Sequence, residues 1–339
     1  MSKRKNISKV TVASQGGKFS LTFAATEKFF NNINDDVHLH PYIRAADVFE
    51  AVRSGSTEYG VVPIESSSNG LLHEVYDHLL QENGQIVIVG EVSTFDNVEL
   101  FSSPGRNEME VEAIYGHVHL LQVCGDYLDD LDRRRNKKGL DPVERKQCTD
   151  SSTACALVKN GNGAAAAVTI PQAAVAYGLE SLGVRPATDI NAQTRYVVLA
   201  QKDSDPLRLV DRARAVVGGP SSSKTSLIVS LPNRSGAVFR MAGCFAMRDM
   251  NLDRIVSRPA VKALPVAHKL PNQEDSKKHW NLIFYIDFEN HIDPVVTAAA
   301  LANLREFSSW VIDLGNYKTG VATGEAKAQK WSEMVSVLQ

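Results

Sequence analysis

Apolar and polar positions alternate along the first ninety residues in short blocks. Val10-Thr11-Val12-Ala13 reads as a strand, followed by the turn Gln15-Gly16-Gly17 and a helix carrying Phe19, Phe23, Phe29 and Phe30. Ala45, Val48, Phe49 and Val52 share one face of a second helix, which stops at Ser54-Gly55. The strand Tyr59 to Ile64, the polar turn Glu65-Ser66-Ser67-Ser68-Asn69-Gly70 and a helix with Leu72, Val75, Tyr76 and Leu79 on one face then form an α/β unit of the kind that builds parallel sheets. A strand from Gln85 to Val92 leads into a second region. It contains Glu112 to Tyr115, a helix over Leu120 to Leu131, a capped helix after Asp150-Ser151-Ser152 and the Ala-rich stretch 164–168. Arg195 to Ala200 reads as a returning strand.

Beyond a polar segment at 201–223 the pattern changes. Lys224 to Leu231 alternates, Gly236 to Met250 is helical, and Leu252 to Val256 is a strand. A polar insertion covers 260–279, Leu282 to Phe288 is a strand, Asp293-Pro294 opens a helix to Phe307, and Trp310 to Leu314 closes the pattern. The order is β-α-β-β-α-β, the ferredoxin-like plan.

Composition fits a chain of two or three modules: 339 residues, 43% hydrophobic and 22% charged. With 37 Lys+Arg against 39 Asp+Glu the formal charge is -2, so neither nucleic acid nor an anionic membrane is expected as a partner. Opposite charges surround the basic run 133–139, which reads as a solvated helix end. Cys124, Cys148, Cys155 and Cys244 form no CxxC pair and read as reduced thiols. The basic start lacks the apolar stretch of a secretory signal, and Ala164 to Leu179 is broken by Thr169, Pro171 and Gln172. A cytoplasmic location is expected.

Three polar turns could carry chemistry. Glu65 to Asn69 and Asp150 to Thr153 would each present free amides and hydroxyls to an anion at a helix start, and Asn191 to Arg195 would bring a hydroxyl and a guanidinium together. Each is also explained by ordinary capping or a surface charge; together they suggest a cleft for an acidic small molecule between two α/β lobes. His38-Leu39-His40 and His117-Val118-His119 each put two imidazoles on one face if extended, without an obvious third metal ligand. No GxxxxGK[ST], GxGxxG or GxSxG motif is present.

Val62-Pro63-Ile64-Glu65-Ser66-Ser67 with Gly70, Tyr115-Gly116-His117 with Gln122 and Cys124, Ser152-Thr153-Ala154, and Asn191 with Thr194-Arg195-Tyr196 follow in the order of the prephenate dehydratase motifs. The chain resembles that family over residues 10–315. Its distal part resembles an ACT regulatory domain, with Gly236-Ala237-Val238-Phe239, Asn251-Leu252 and Ser257-Arg258-Pro259 at the motif positions. Ser66, Gly116 and Val118 replace the family's Asn, Ser and Pro, and Val256 its Glu.

The resemblance implies a two-lobed, periplasmic-binding-protein-like catalytic domain at 8–203, followed by a ferredoxin-like ACT domain. Lobe 1 would take 8–90 and 190–203, lobe 2 would take 91–189, and a linker (204–223), the ACT domain (224–317) and a tail (318–339) complete the chain. It implies expulsion of water and carbon dioxide from prephenate, without metal or cofactor, to give phenylpyruvate on the route to phenylalanine. Thr194 would donate to the departing hydroxyl, Arg195 would grip a carboxylate, and Glu65 would join Thr194's network. Ser66, Ser67, Ser152, Thr153, Asn191 and Tyr196 would complete the substrate site. L-phenylalanine would bind between paired ACT domains against Gly236, Ala237, Val238, Phe239, Asn251, Ser257, Arg258 and Pro259, in a homodimer or homotetramer. The same elimination on arogenate, or a non-catalytic amino-acid sensor, are the alternative readings.

Overall fold

The computed structural model describes residues 9–30, 36–68, 70–161, 163–186, 192–204, 223–259, 282–290 and 293–318. Asn191, the bulk of the expected linker, the 260–279 insertion and nearly all of the tail lie outside them.

Three sheets organise the chain. The first contains β1 (Lys9–Gln15), β2 (Asp36–Tyr42), β3 (Tyr59–Ser66), β5 (Ile86–Phe95) and β11 (Gln193–Gln201) in the order β2-β1-β3-β11-β5. A short β4 (Gly70–Leu71) folds back on β3. β1 runs parallel to β2 and β3, whereas β11 is antiparallel to both its neighbours. It is the strand by which the chain returns from the second lobe. α1 (Leu21–Phe30) covers one face of this sheet, while α2 (Ala45–Arg53) and α3 (His73–Gln81) contribute to the core on the other. α2 forms where Ala45, Val48, Phe49 and Val52 recur at helical spacing, and all four are buried.

The second sheet runs β10 (Glu180–Ser181), β6 (Glu99–Ser102), β9 (Ala165–Thr169), β7 (Ala113–His117), β8 (Glu144–Cys148). Around it stand α4 (Val118–Val123), α5 (Gly125–Asn136), α6 (Ser151–Lys159) and α7 (Pro171–Tyr177). All five residues of β9 are buried, as expected of a central strand covered on both faces.

The third sheet follows the β-α-β-β-α-β plan: β12 (Ser223–Ser230), α8 (Ala237–Ala246), β13 (Leu252–Pro259), β14 (Leu282–Glu289), α9 (Pro294–Phe307) and β15 (Trp310–Lys318), in the order β13-β14-β12-β15. Its helices cover one face. The other face shares a core with lobe 1: Ile228, Ile283, Tyr285, Ile312 and Tyr317 pack with Val62, Tyr76, Leu79, Ile88 and Leu199. At this junction Gly315 has φ +126°, and a Cβ there would lie 2.2 Å from the Ile88 carbonyl oxygen. The two backbones meet at a distance that only glycine permits.

Several expectations are corrected. β5 stays in the first sheet to Phe95, so lobe 1 extends past residue 90. Phe19 has φ +69° and stands outside α1. The helix expected over Leu120 to Leu131 is two helices, α4 and α5, divided at Cys124. Arg135, expected in a solvated helix end, is buried, and its guanidinium donates to the carbonyls of Met109, Val111 and Asp141. Glu65 to Asn69 does not open a helix: Glu65 and Ser66 end β3, Gly70 at φ +74° turns the chain back onto it, and α3 begins at His73.

Candidate active site

The two lobes enclose a cavity of about 150 Å³. Lobe 1 contributes Gln15, Gly16 and Ser20 from the β1–α1 turn, Pro63 and Ser66 from β3, and Thr194 and Tyr196 from β11. Lobe 2 contributes His117, His119, Thr149, Asp150 and Ser151. Among the described residues lining it, only the two histidines can carry positive charge.

Thr194 is buried, and its Oγ1 donates to Asp96 Oδ2 at 2.9 Å. Asp96 follows β5 where the chain crosses between lobes, and its backbone N–H donates to the Ala192 carbonyl at 2.8 Å. Its side chain is 0% exposed, and Oδ1 has no hydrogen-bond partner. His119, in the first turn of α4, brings Nε2 within 3.8 Å of Asp96 Oδ2 and 3.4 Å of Ser66 Oγ. Ser66 Oγ also accepts from the Ser68 N–H at 3.3 Å. Burial, with the neighbouring His119 second, holds the His117 imidazole below its ordinary pKa, against the pull of Asp150. Burial pushes the Tyr196 phenol up, helped by the charge of Asp96.

α6 starts as expected, with Asp150 Oδ1 accepting from the Thr153 N–H at 2.8 Å. The lobes touch here: Ser152 Oγ donates to the Lys18 carbonyl, and a Cβ on Gly17 would lie 2.7 Å from Asp150 Oδ2. Ser152 thus bridges the lobes, Thr153 is exposed beside Thr149, and Ser151 is the α6 residue that lines the cavity. Ser67 also acts locally, its Oγ accepting from the Gln193 N–H at 2.9 Å.

Arg195 and Glu65, expected beside Thr194, lie on the opposite side of the sheet. Successive side chains of a strand point to opposite faces, so Thr194 meets the cleft and Arg195 meets the third domain. The Arg195 guanidinium lies 3.3 Å from Glu65, 3.1 Å from Glu91 and 3.1 Å from Asp287. Burial lowers its pKa, but Asp287 foremost, with Tyr317 and Glu91, more than offsets this and holds it above its ordinary value. Arg254 pairs with Glu65 and, at 3.3 Å, with Asp287. Lys224 reaches Glu91 at 3.4 Å and Asp253 at 3.1 Å. The register shift between Arg195 and Tyr196 against β3 lets Ile64 and Glu65 both serve this junction while Ser66 returns to the cleft.

The expected regulatory residues also divide. Gly236, Ala237, Val238 and Phe239 line a 220 Å³ cavity with Leu282 and Phe284, and Phe239 is 76% exposed. Asn251 donates to Asp253 at 2.9 Å. Ser257 and Pro259 are on the exposed face of the edge strand β13, but Arg258 faces lobe 1, 2.9 Å from Asp77 and 2.6 Å from the His73 carbonyl. Val256 packs against the junction core.

Among the described residues no group of three or more His, Cys, Asp or Glu side chains is arranged to hold a metal, and no helix is long and apolar enough to cross a membrane. Sequence reasoning missed Asp96, which lies in a link without periodicity, and met His119 only as a candidate metal ligand.

The profile of the prephenate dehydratase family matches residues 12–204. Arogenate dehydratase/prephenate dehydratase 2 of Arabidopsis thaliana is 31% identical over 313 residues, covering 92% of this chain and 74% of the relative. The bifunctional chorismate mutase/prephenate dehydratase of Aquifex aeolicus is 27% identical over 309 residues, covering 91% and 74%. The structure of prephenate dehydratase from Arthrobacter aurescens, in complex with L-Phe, superposes with a TM-score of 0.70 at 21% identity, covering 97% of this chain and 98% of that one. With two lobes, an inter-lobe cavity floored by Thr194, and this agreement across most of its length, the chain belongs to the prephenate dehydratase family.

Proposed function

We propose that this enzyme converts prephenate to phenylpyruvate, with loss of water and carbon dioxide, in the inter-lobe cavity. The observation that carries the reading is the cluster of Thr194, His119 and Ser66 on one cavity wall, drawn from both lobes, with the buried carboxylate of Asp96 behind Thr194. A reaction driven by aromatisation asks the protein to desolvate the carboxylate being lost and to assist the departing hydroxyl. The α6 start, the two histidines and Ser66 are suited to a dianionic substrate, and Tyr196 supplies an aromatic wall. Arg195 and Glu65 belong to the domain junction in this reading. Production of phenylpyruvate from prephenate by the purified chain is the test; no turnover removes the proposal.

Arogenate is the second substrate reading. Asp150 lines a cavity with no Lys or Arg among its described lining residues, an environment that favours the ammonium of arogenate over the ketone that prephenate carries in its place. Comparing kcat/KM for the two substrates decides between them.

The third domain reads as an ACT domain that binds L-phenylalanine where two copies meet. Its support is the plan β-α-β-β-α-β, the cavity at Gly236 to Phe239 and the exposed apolar side chains Val238, Phe239 and Ile255. Calorimetry and size-exclusion chromatography with and without L-phenylalanine test both halves of this statement.

A further inference from the structure

The stretch of lobe 1 from Glu65 to Asp77 is at once a wall of the cavity and a seat for the third domain. Ser66, Gly70 and Leu72 line the cavity. They sit on a tight hairpin in which Ser66 stands opposite Gly70 and Glu65 opposite Leu71, and the Leu72 N–H donates to the Ile64 carbonyl at 3.0 Å. Both flanks of this hairpin are held from the third domain. Ahead of it, Arg254 pairs with Glu65. Behind it, the Arg258 guanidinium spans the first turn of α3: it donates to the His73 carbonyl at 2.6 Å and meets the two Asp77 carboxylate oxygens at 2.9 and 3.4 Å. The Tyr285 hydroxyl adds a bond to the Tyr76 carbonyl at 2.8 Å, and Val256 and Leu71 pack against the shared core. Arg254, Val256 and Arg258 alternate with exposed residues along β13, so one face of that strand presents all three to lobe 1.

We propose that Arg258 is a positioning residue for the substrate: it fixes the start of α3, and through it the cavity wall made by Gly70 and Leu72. The assignment rests on the reading above that the inter-lobe cavity holds the substrate. Leu72 is 37% exposed and offers that wall's apolar surface to the cyclic part of the substrate. A guanidinium that meets both oxygens of a carboxylate fixes direction as well as distance, and its bond to His73 ties the same group to the helix backbone. A lysine ammonium, as a compact point charge, lacks that planar fork.

Thr194, Tyr196 and His119 reach the cavity from β11 and α4, which Arg258 does not touch. Loss of Arg258 therefore displaces one wall and leaves these groups in place, so it falls on substrate binding more than on the chemical step. Domain docking survives the loss, because Arg195 and Arg254 keep their carboxylates and the shared apolar core is intact.

The experiment is steady-state kinetics of wild type, Arg258→Met and Arg258→Lys on prephenate and on arogenate, with urea unfolding of each protein. On the substrate that wild type turns over, R258M should raise KM about 10-fold with kcat within about twofold of wild type, and R258K should raise KM by less. A purely structural role reads differently, since a partly unfolded sample loses apparent kcat at an unchanged KM. A wild-type KM in R258M, or a loss confined to kcat that follows the denaturation midpoint, overturns the assignment. If R258M does not fold, R258K decides, because it keeps a cation at the junction: a raised KM supports the assignment and a wild-type KM overturns it. Absence of turnover by wild type on both substrates would overturn the reaction reading, and this assignment with it.

Discussion

Thr194 and Arg195 are neighbours in the chain and belong to different regions of the molecule. On the cleft face of β11 the polar groups are sparsely matched: Asp96 has one oxygen bonded to Thr194 and the other without a hydrogen bond. On the junction face, Arg195, Arg254 and Lys224 are enmeshed with Glu65, Glu91, Asp253 and Asp287, while Ser226 donates to Asp287 at 2.6 Å. The difference teaches what each face is for. Groups that join the two domains pair chiefly with each other, although Arg195 Nε and Arg254 Nε make no hydrogen bond, whereas among the described residues the cleft side carries a single buried carboxylate, Asp96, whose Oδ1 makes none.

The sharpest way to break this comparison is to substitute the two neighbours separately. Thr194→Ala should lower kcat by about 10²-fold or more while domain docking persists, because the loss falls on assistance to the departing hydroxyl. Near-normal turnover in steady-state assays would take Thr194 out of the cleft. Arg195→Met should do the reverse, destabilising the fold by about 3–5 kcal/mol because three carboxylates lose their shared cation. A raised KM at unchanged denaturation midpoint would return Arg195 to the substrate. Gly315→Ala probes the same junction sterically. A Cβ 2.2 Å from the Ile88 carbonyl cannot be accommodated by a side-chain shift, and about 1–3 kcal/mol of stability should be lost in urea unfolding, with kcat affected less.

The smallest expected effect concerns pH. The His117 pKa is held below its ordinary 6.5, so the unfolded chain binds the proton more readily. Stability is therefore full above pH 6.5 and declines as pH falls from there towards the folded pKa. His117→Gln should flatten that part of the stability profile; an unaltered slope would mean that His117 is not desolvated in the cleft wall.

Much of the architecture is legible in periodicity. α2 and the β-α-β-β-α-β plan of the third domain follow from apolar spacing alone. β8 escaped because Glu-Arg-Lys-Gln-Cys on an edge position carries no apolar alternation. The serines after Ile64 signal a helix start, but Gly70 favours a hairpin and wins. Placing Thr194 and Arg195 side by side ignored the two-residue period of the strand that carries both. Asp96 and His119 become partners only through tertiary structure, since 23 positions separate them and no spacing rule links a strand exit to a helix turn.

The position of β11 has a consequence for synthesis. The second sheet is built wholly from residues 99–181, whereas the first waits for β11 to fill the place between β3 and β5. On a ribosome the second lobe can therefore close first, and until about residue 201 emerges, β3 and β5 present unpaired edges to their surroundings. The strand that brings Thr194 to the cleft is the one that ends this exposure, so arrival of the chemistry and completion of the lobe coincide.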